Sequence, residues 1–283
     1  MAENMEALDR GWQDCVVKRD VSAQLEVAIT APTTVEFQIA VARQPNLELT
    51  ESLVFDLDGW IVNPWEITGP HGTRIHKFSV GTGTLRANYS ATVLGAAPPQ
   101  APSDYDLALY LRPSRFAESD KLLGFAATEF GSGPPDAELA ARVSAWVGRR
   151  IRYVAGSSDP IDGAVETLLS GAGVCRDFTH LVVALLRAVK VPARVVSVYA
   201  PGCSPMDFHA VAEAYVDGSW RALDATGLAP RSTLVRIATG RDASDVAFLD
   251  NHGGEIIVNS LRVTAFVEGY LPFDDHVTPV SLG

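Results

Sequence analysis

Between residues 22 and 94 apolar and polar side chains alternate with a period of two, most plainly at Leu25, Val27 and Ile29 and again at Val35, Phe37, Ile39 and Val41. Successive side chains of a strand point to opposite faces, so this pattern demands a half-buried antiparallel sheet. Breaks at Pro32-Thr33, Asp58-Gly59, Gly69-Pro70 and 81–83 separate further strand candidates at 53–57, 60–67, 75–80 and 85–93. Short strands punctuated by turn formers read as a β-sandwich. The stretch GAAPPQAPS at 95–103 is rich in Pro and Ala, with neither charge nor periodicity, and suits a stiff exposed connection. The expected organisation is an N-terminal antiparallel β-sandwich over 1–97 and a second unit over 98–283.

Downstream the period changes. Leu139, Val143, Trp146, Val147 and Ile151 step by three to four residues after the start signal Pro134-Pro135-Asp136, which predicts an amphipathic helix. A shorter helix is expected over 119–130, with Ser119 as its cap. The strongest helical pattern begins near Cys175 and places Phe178, Leu181, Val182, Leu185, Leu186 and Val189 on one face; Pro192 stops it. Strand-like segments follow at 193–199, 210–216 and 220–224. The second unit is therefore α+β.

Composition narrows the function. Lys plus Arg at 23 against Asp plus Glu at 34 gives a formal charge of -11, which repels phosphate backbones and anionic membrane faces, so neither nucleic acid nor membrane is an expected partner. No apolar run reaches the roughly 18 residues of a membrane helix. The opening MAENMEALDRGWQDC is acidic where a secretion signal is basic, which points to a cytoplasmic address. Three widely spaced cysteines, Cys15, Cys175 and Cys203, argue against a disulfide framework or a zinc cluster. No phosphate-cradling glycine loop is present and no short ligand spacing suggests a metal, so no cofactor and no metal are expected.

Cys175 is delivered by the glycine turn Gly171-Ala172-Gly173 onto the first turn of the strong helix. Unpaired N–H groups and the positive end of the helix dipole favour a thiolate there; the bland alternative is a cysteine serving as a small apolar core residue. A thiolate nucleophile needs a base, held in one tautomer by a third group. His71, His76, His252 and His276 lie where surface or structural roles are expected, and His180 is rotated about 140° from Cys175 at roughly 100° per residue. His209 opens the strand 210–216, and Asp217-Gly218 signals a two-residue turn into the strand ending at Asp224. With Val216 opposite Ser219, Val211 faces Asp224, and His209 becomes a diagonal neighbour of Asp224 at about 7–8 Å between Cα atoms. Asp207 and Glu213 are rival orienting groups. Cys203 lacks a helix start and is expected to be a groove wall or bystander, and Cys15 to be uninvolved.

The blocks GVCRDFTHLVVALLRAVKVPARVVSVY, HAVAEAYVDGSWRALDAT and GRDASDV resemble the transglutaminase-like superfamily, in particular its bacterial transglutaminase-like cysteine protease branch, over residues 100–250. The resemblance implies a papain-like α+β core, its nucleophile at a helix N-terminus packed on an antiparallel sheet, with Cys175 as nucleophile, His209 as base and Asp224 as orienting carboxylate. It implies thiol-dependent acyl transfer on a peptide or protein amide, with hydrolysis by a peptidase or amidase preferred. A protein-glutamine transglutaminase and a catalytically silent binding module are the alternatives. Val211 stands where the family usually has tryptophan and Ala225 where it has proline, which bears on groove shape and on the rigidity of the Asp224 turn. Asp177, Arg241 and Asp242 also match, and ordinary structural roles are expected for them.

Overall fold

The alternating segment folds into facing antiparallel sheets. In the computed structural model, which describes residues 17–131 and 133–282, it forms β1 (Lys18–Ala31), β2 (Thr33–Phe37), β3 (Glu48–Leu57), β4 (Trp60–Val62), β5 (Trp65–Thr68), β6 (Arg74–Val80) and β7 (Gly83–Leu94). Cys15 lies outside the described residues. In β1, Val21, Ala23, Leu25, Val27 and Ile29 are buried and the residues between them are not. Burying a Val, Leu or Ile contributes about 1.5–3 kcal/mol, and a one-residue slip would turn the whole set to solvent. Phe55 of one sheet packs on Phe37 and Phe78 of the other, with ring centroids 5.0 and 4.9 Å apart.

Residues 38–41 carry the β2 alternation onward, yet they leave the sheet. They stay buried, while Gln38 N–H donates to Phe248 O at 3.0 Å and, just beyond them, Ala42 N–H donates to Arg236 O at 2.9 Å. Their apolar pattern reports burial against the second unit, not strand pairing.

The rest of the chain adds α1 (Asp104–Leu109), α2 (Leu123–Phe130), α3 (Ala137–Arg150), β8 (Arg152–Tyr153), α4 (Ala164–Ser170), β9 (Ala172–Gly173) and α5 (Cys175–Ala188). Then come β10 (Ala193–Tyr199), β11 (Phe208–Val216), β12 (Ser219–Leu223), β13 (Val235–Gly240), α6 (Ala243–Val246), β14 (Leu249–His252) and β15 (Glu255–Val267). Asp136 caps α3 by accepting the Leu139 N–H at 2.9 Å. Ser119 does not cap a helix: Ser119–Lys121 is a short 3-10 turn, and α2 starts after it with no side-chain cap. An antiparallel sheet of order β12-β11-β10-β13 carries α5 on β10 and β11, giving the α+β core.

The sandwich is completed from the far end of the chain. β15 pairs antiparallel along β1, from Arg19 opposite Val267 to Ala31 opposite Glu255, and β14 pairs with β2. The two sheets read β15-β1-β7-β3-β4 and β14-β2-β6-β5. A division at 97/98 assigns 249–267 to the second unit, whereas the hydrogen bonds of these residues belong to the sandwich and the α+β core is inserted between β7 and β14. Ser22 and Thr264, 242 positions apart, bring their hydroxyls to 2.7 Å; no local pattern announces such a partner.

Candidate active site

The glycine turn sets the cysteine in place. β9 pairs in parallel with β8, Tyr153 opposite Gly173, and a Cβ on Gly173 would sit 2.7 Å from that of Asp177, so only glycine lets the turn close on the helix. Asp177 is buried; its Oδ2 accepts the Val174 N–H at 2.8 Å, and its Oδ1 accepts the Ser158 hydroxyl at 3.0 Å and Arg176 Nε–H at 3.2 Å. It ties down the first turn of α5. Cys175 is the half-buried first residue of that helix, beside backbone N–H groups that no helical carbonyl can reach. The Thr179 hydroxyl lies 2.8 Å from Cys175 O and 2.9 Å from Ala210 O, strapping the start of α5 to β11.

The hairpin has the register expected from its turn, Val216 opposite Ser219 through Ala212 opposite Leu223. Asp224 directly follows the last pair and His209 stands three residues before Ala212 in β11; Nε2 of the ring is 2.9 Å from Asp224 Oδ2 with both side chains buried. Burial opposes a charged imidazole, but the Asp224 carboxylate and the nearby Cys175 thiol outweigh it and hold His209 well above the ordinary histidine pKa. With Nε2 engaged, Nδ1 is the nitrogen left for sulfur. Burial likewise works against the Asp224 charge; His209 and Thr226 prevail and keep its carboxyl below the usual range. The turn after Asp224 is stiffened without proline, since Asp224 Oδ1 accepts both the Thr226 N–H at 2.9 Å and the Thr226 hydroxyl at 2.6 Å, a local side-chain to backbone closure.

The rival groups fall elsewhere. Glu213 is fully buried between Arg194, at 2.7 Å, and Arg236, at 2.8 Å. Asp207 accepts its neighbour's N–H from Phe208 at 2.7 Å. Cys203 is buried, its Sγ 3.5 Å from Pro205 O, and burial pushes its thiol up despite nearby His209. His180 stacks on Phe116, accepts the Ala243 N–H at 3.1 Å and is pushed down to about 3, chiefly by burial. Asp242 accepts the Phe116 and Ser244 N–H groups, and Arg241 pairs with Asp245 at 2.9 Å; these are structural ties. His71 and His76 are largely enclosed, His71 against Tyr110 at 3.0 Å and His76 near Glu66, while His252 and His276 are exposed.

One neighbour of Cys175 escaped the sequence reading. The half-exposed Tyr153 rests its ring on Phe178, and its hydroxyl faces the Cys175 backbone N–H; burial, with the nearby thiols and Asp207, pushes that hydroxyl up to about 12. The signal was the two-residue strand ahead of the glycine turn, too short for a periodic pattern.

Cys175 and His209 open into a cavity of about 280 Å³ walled by Phe208, Ile237, Val246, Phe248 and Leu261, with Gln38 and Ser197 among its lining. A larger surface recess of about 450 Å³ on the sandwich, around Asp20, Glu51 and Thr264, contains none of these residues. Among the described residues no group of three His, Cys, Asp or Glu side chains could hold a metal ion, and no helix is long and apolar enough to cross a membrane.

The transglutaminase-like superfamily model matches residues 125–225, a span that holds Cys175, His209 and Asp224. A crystal structure of a proposed cysteine protease from Cytophaga hutchinsonii is 30% identical and superimposes with a TM-score of 0.83, covering 94% of this chain and 96% of that one. An uncharacterized protein of Mycobacterium leprae is 21% identical over 238 residues, 78% of this chain and 83% of its own.

Proposed function

The chain belongs to the transglutaminase-like superfamily, and from that premise we propose that it is a cysteine peptidase or amidase acting on peptide or protein amides through Cys175, His209 and Asp224. The observation that carries the reading is the buried 2.9 Å contact of His209 with Asp224, with Cys175 lining the same cavity as the ring. An imidazole so held has one tautomer and one orientation.

The reaction follows from these positions. The Cys175 thiolate, formed as sulfur gives its proton to His209, attacks the amide carbon; the carbonyl oxygen becomes an oxyanion that the Cys175 N–H stabilises, with the Tyr153 hydroxyl as second donor. Collapse of this intermediate breaks the C–N bond as the imidazolium gives its proton to the departing amine, leaving a thioester on sulfur. His209 then deprotonates a water molecule, which attacks the thioester carbon; the C–S bond breaks and releases the acid and the thiolate. Asp224 orients the ring and offsets its charge throughout. A primary amine taking the place of that water would make the same thioester the donor for amine transfer.

Alkylation and single-turnover assays test this. Iodoacetamide is expected to label Cys175 stoichiometrically well below pH 8, and the His209→Ala variant to lose that labelling. A peptide amide panel is expected to release acid whether or not a primary amine is present. Amine incorporation outpacing acid release would assign amine transfer instead, and an inert thiol would leave only a binding module.

A further inference from the structure

The cavity beside Cys175 is apolar even where polar residues line it. Gln38 turns its amide away: Nε2 donates to Asp245 O and to Ala247 O, both at 3.3 Å, and Oε1 is shut off from the space. The Ser197 hydroxyl is shut off in the same way. Backbone is engaged as well, since the Gln38 N–H donates to Phe248 O at 3.0 Å and Ser197 faces Ala210 in the pairing of β10 with β11.

Three large apolar side chains around this space, Phe208, Phe248 and Leu261, are only half-buried, while Ile237 and Val246 beside them are buried. They come from separate elements: Phe208 from β11, Ile237 from β13, Val246 from α6, Phe248 from the step into β14 and Leu261 from β15. The Phe208 and Phe248 rings stack with centroids 5.3 Å apart, which fixes that wall. Apolar surface left open to water is a cost that an apolar group placed against it removes. Two charged residues also line the cavity. Arg176 is bound to Asp159 O at 2.6 Å and to Asp177 at 3.2 Å; Asp207 is exposed and accepts the Phe208 N–H at 2.7 Å. Neither offers an enclosed ion a free partner, and enclosing an unpaired charge is unfavourable. At about 280 Å³ the space is below the roughly 300–1,000 Å³ of pockets that enclose a whole small molecule, and it suits one side chain.

The order of bond making says which part of a substrate belongs there. Once the amine has left, the acyl portion stays on sulfur while water takes the place of the amine beside His209. A walled apolar space next to sulfur suits the portion that stays. We propose that this cavity holds the side chain of the residue whose carbonyl carbon Cys175 attacks, and that it selects a large apolar one, of the size of leucine or phenylalanine. The amides cut are then those that follow such a residue in the backbone. The inference rests on the acyl-transfer reading of the site. It also gives the sandwich a role, since Leu261 lies in β15.

The test uses acetyl-aminoacyl acyloxymethyl ketones of alanine, leucine, phenylalanine, glutamine, glutamate and lysine. Each inactivates by displacement: the Cys175 sulfur bonds to the methylene carbon as the C–O bond breaks and the carboxylate leaves, giving a thioether read by intact mass. Rates are divided by the iodoacetamide rate of the same protein, which isolates side-chain preference from thiol reactivity. In the full-length wild type the leucine and phenylalanine compounds are expected to outpace alanine by on the order of 10- to 100-fold, because each methylene buried contributes roughly fourfold. Glutamine, glutamate and lysine are expected to fall behind leucine by a similar factor. Phe248→Ala and Leu261→Ala each remove one wall and are expected to lower the leucine-to-alanine ratio several-fold. The two positions lie on separate elements, so either variant remains informative where the other does not fold. Equal normalised rates in the wild type, preference for glutamine or a charged side chain, or an unchanged leucine-to-alanine ratio in the variants would overturn the pocket while leaving the acyl-transfer reading standing. Failure of iodoacetamide to label Cys175 would overturn that reading, and the pocket with it.

Discussion

Nε2 of His209 and Oδ2 of Asp224 stand 2.9 Å apart, with both side chains almost wholly withdrawn from solvent. The ring carries two opposed influences: burial, which disfavours its charge, and the Asp224 carboxylate together with the Cys175 thiol, which favour it and win.

The pH profile follows from that balance. Because the folded pKa of His209 is raised, its proton is kept as pH passes the ordinary histidine value of about 6.5, and the alkaline limb of kcat/KM is expected above that value. Asp224→Asn removes the negative partner, leaves burial dominant and moves the limb to lower pH. It also lowers kcat by roughly 10³- to 10⁴-fold, as expected when the ring loses its imposed tautomer. A limb that stays in place in the variant would show that Asp224 does not set the state of the ring.

Tyr153→Phe removes the hydroxyl that faces the Cys175 N–H. Loss of one oxyanion donor costs roughly 10²- to 10³-fold in kcat with KM little changed. Steady-state kinetics on a peptide amide read this directly, and a full-rate Tyr153→Phe enzyme would remove Tyr153 from the mechanism.

Gly148 in α3 presses against the turn that follows Asp224, where an added Cβ would lie 2.6 Å from Ala225 O. Backbone cannot yield as a flexible side chain can, so Gly148→Ala is expected to destabilise by about 1–3 kcal/mol and to lower activity by displacing Asp224. Urea unfolding measures the first and kcat the second; an unperturbed midpoint would contradict the close approach.

Glu213 sits between Arg194 and Arg236 in the sheet. Burial alone would raise its pKa, but the two guanidinium groups lower it below the usual 4.5. Its stabilising contribution is therefore complete above the unfolded pKa and is lost only as pH falls through the depressed folded value. Glu213→Leu leaves two buried cations uncompensated and should cost about 3–5 kcal/mol at pH 7. Chemical denaturation between pH 3 and 7 should show the wild type losing this margin in acid and the variant lacking it throughout.

Cys175, His209 and Asp224 were legible because local rules bear on each: a glycine turn opening an amphipathic helix, a strand start, and a two-residue turn whose register sets His209 diagonal to Asp224. Thr226 was not singled out in the sequence, although the Asp-x-Thr turn it closes on Asp224 is local. Tyr153 was not legible, because it meets Cys175 only through the pairing of β8 with β9. Gln38 was hidden more deeply. Its segment reads as strand by alternation, yet its backbone and side chain answer to carbonyls of residues 245–248, and sequence periodicity carries no information about partners that far along the chain. The same reason explains why β15 read as part of the second unit.

That closing strand has a consequence for synthesis on the ribosome. β1 emerges early and must wait for residues 255–267 before its open edge is covered, and Leu261 in that strand also walls the chamber around the thiol. The wall beside the thiol is therefore completed late, only once residues 255–267 have been made, and a chain released before them would carry Cys175 without Leu261.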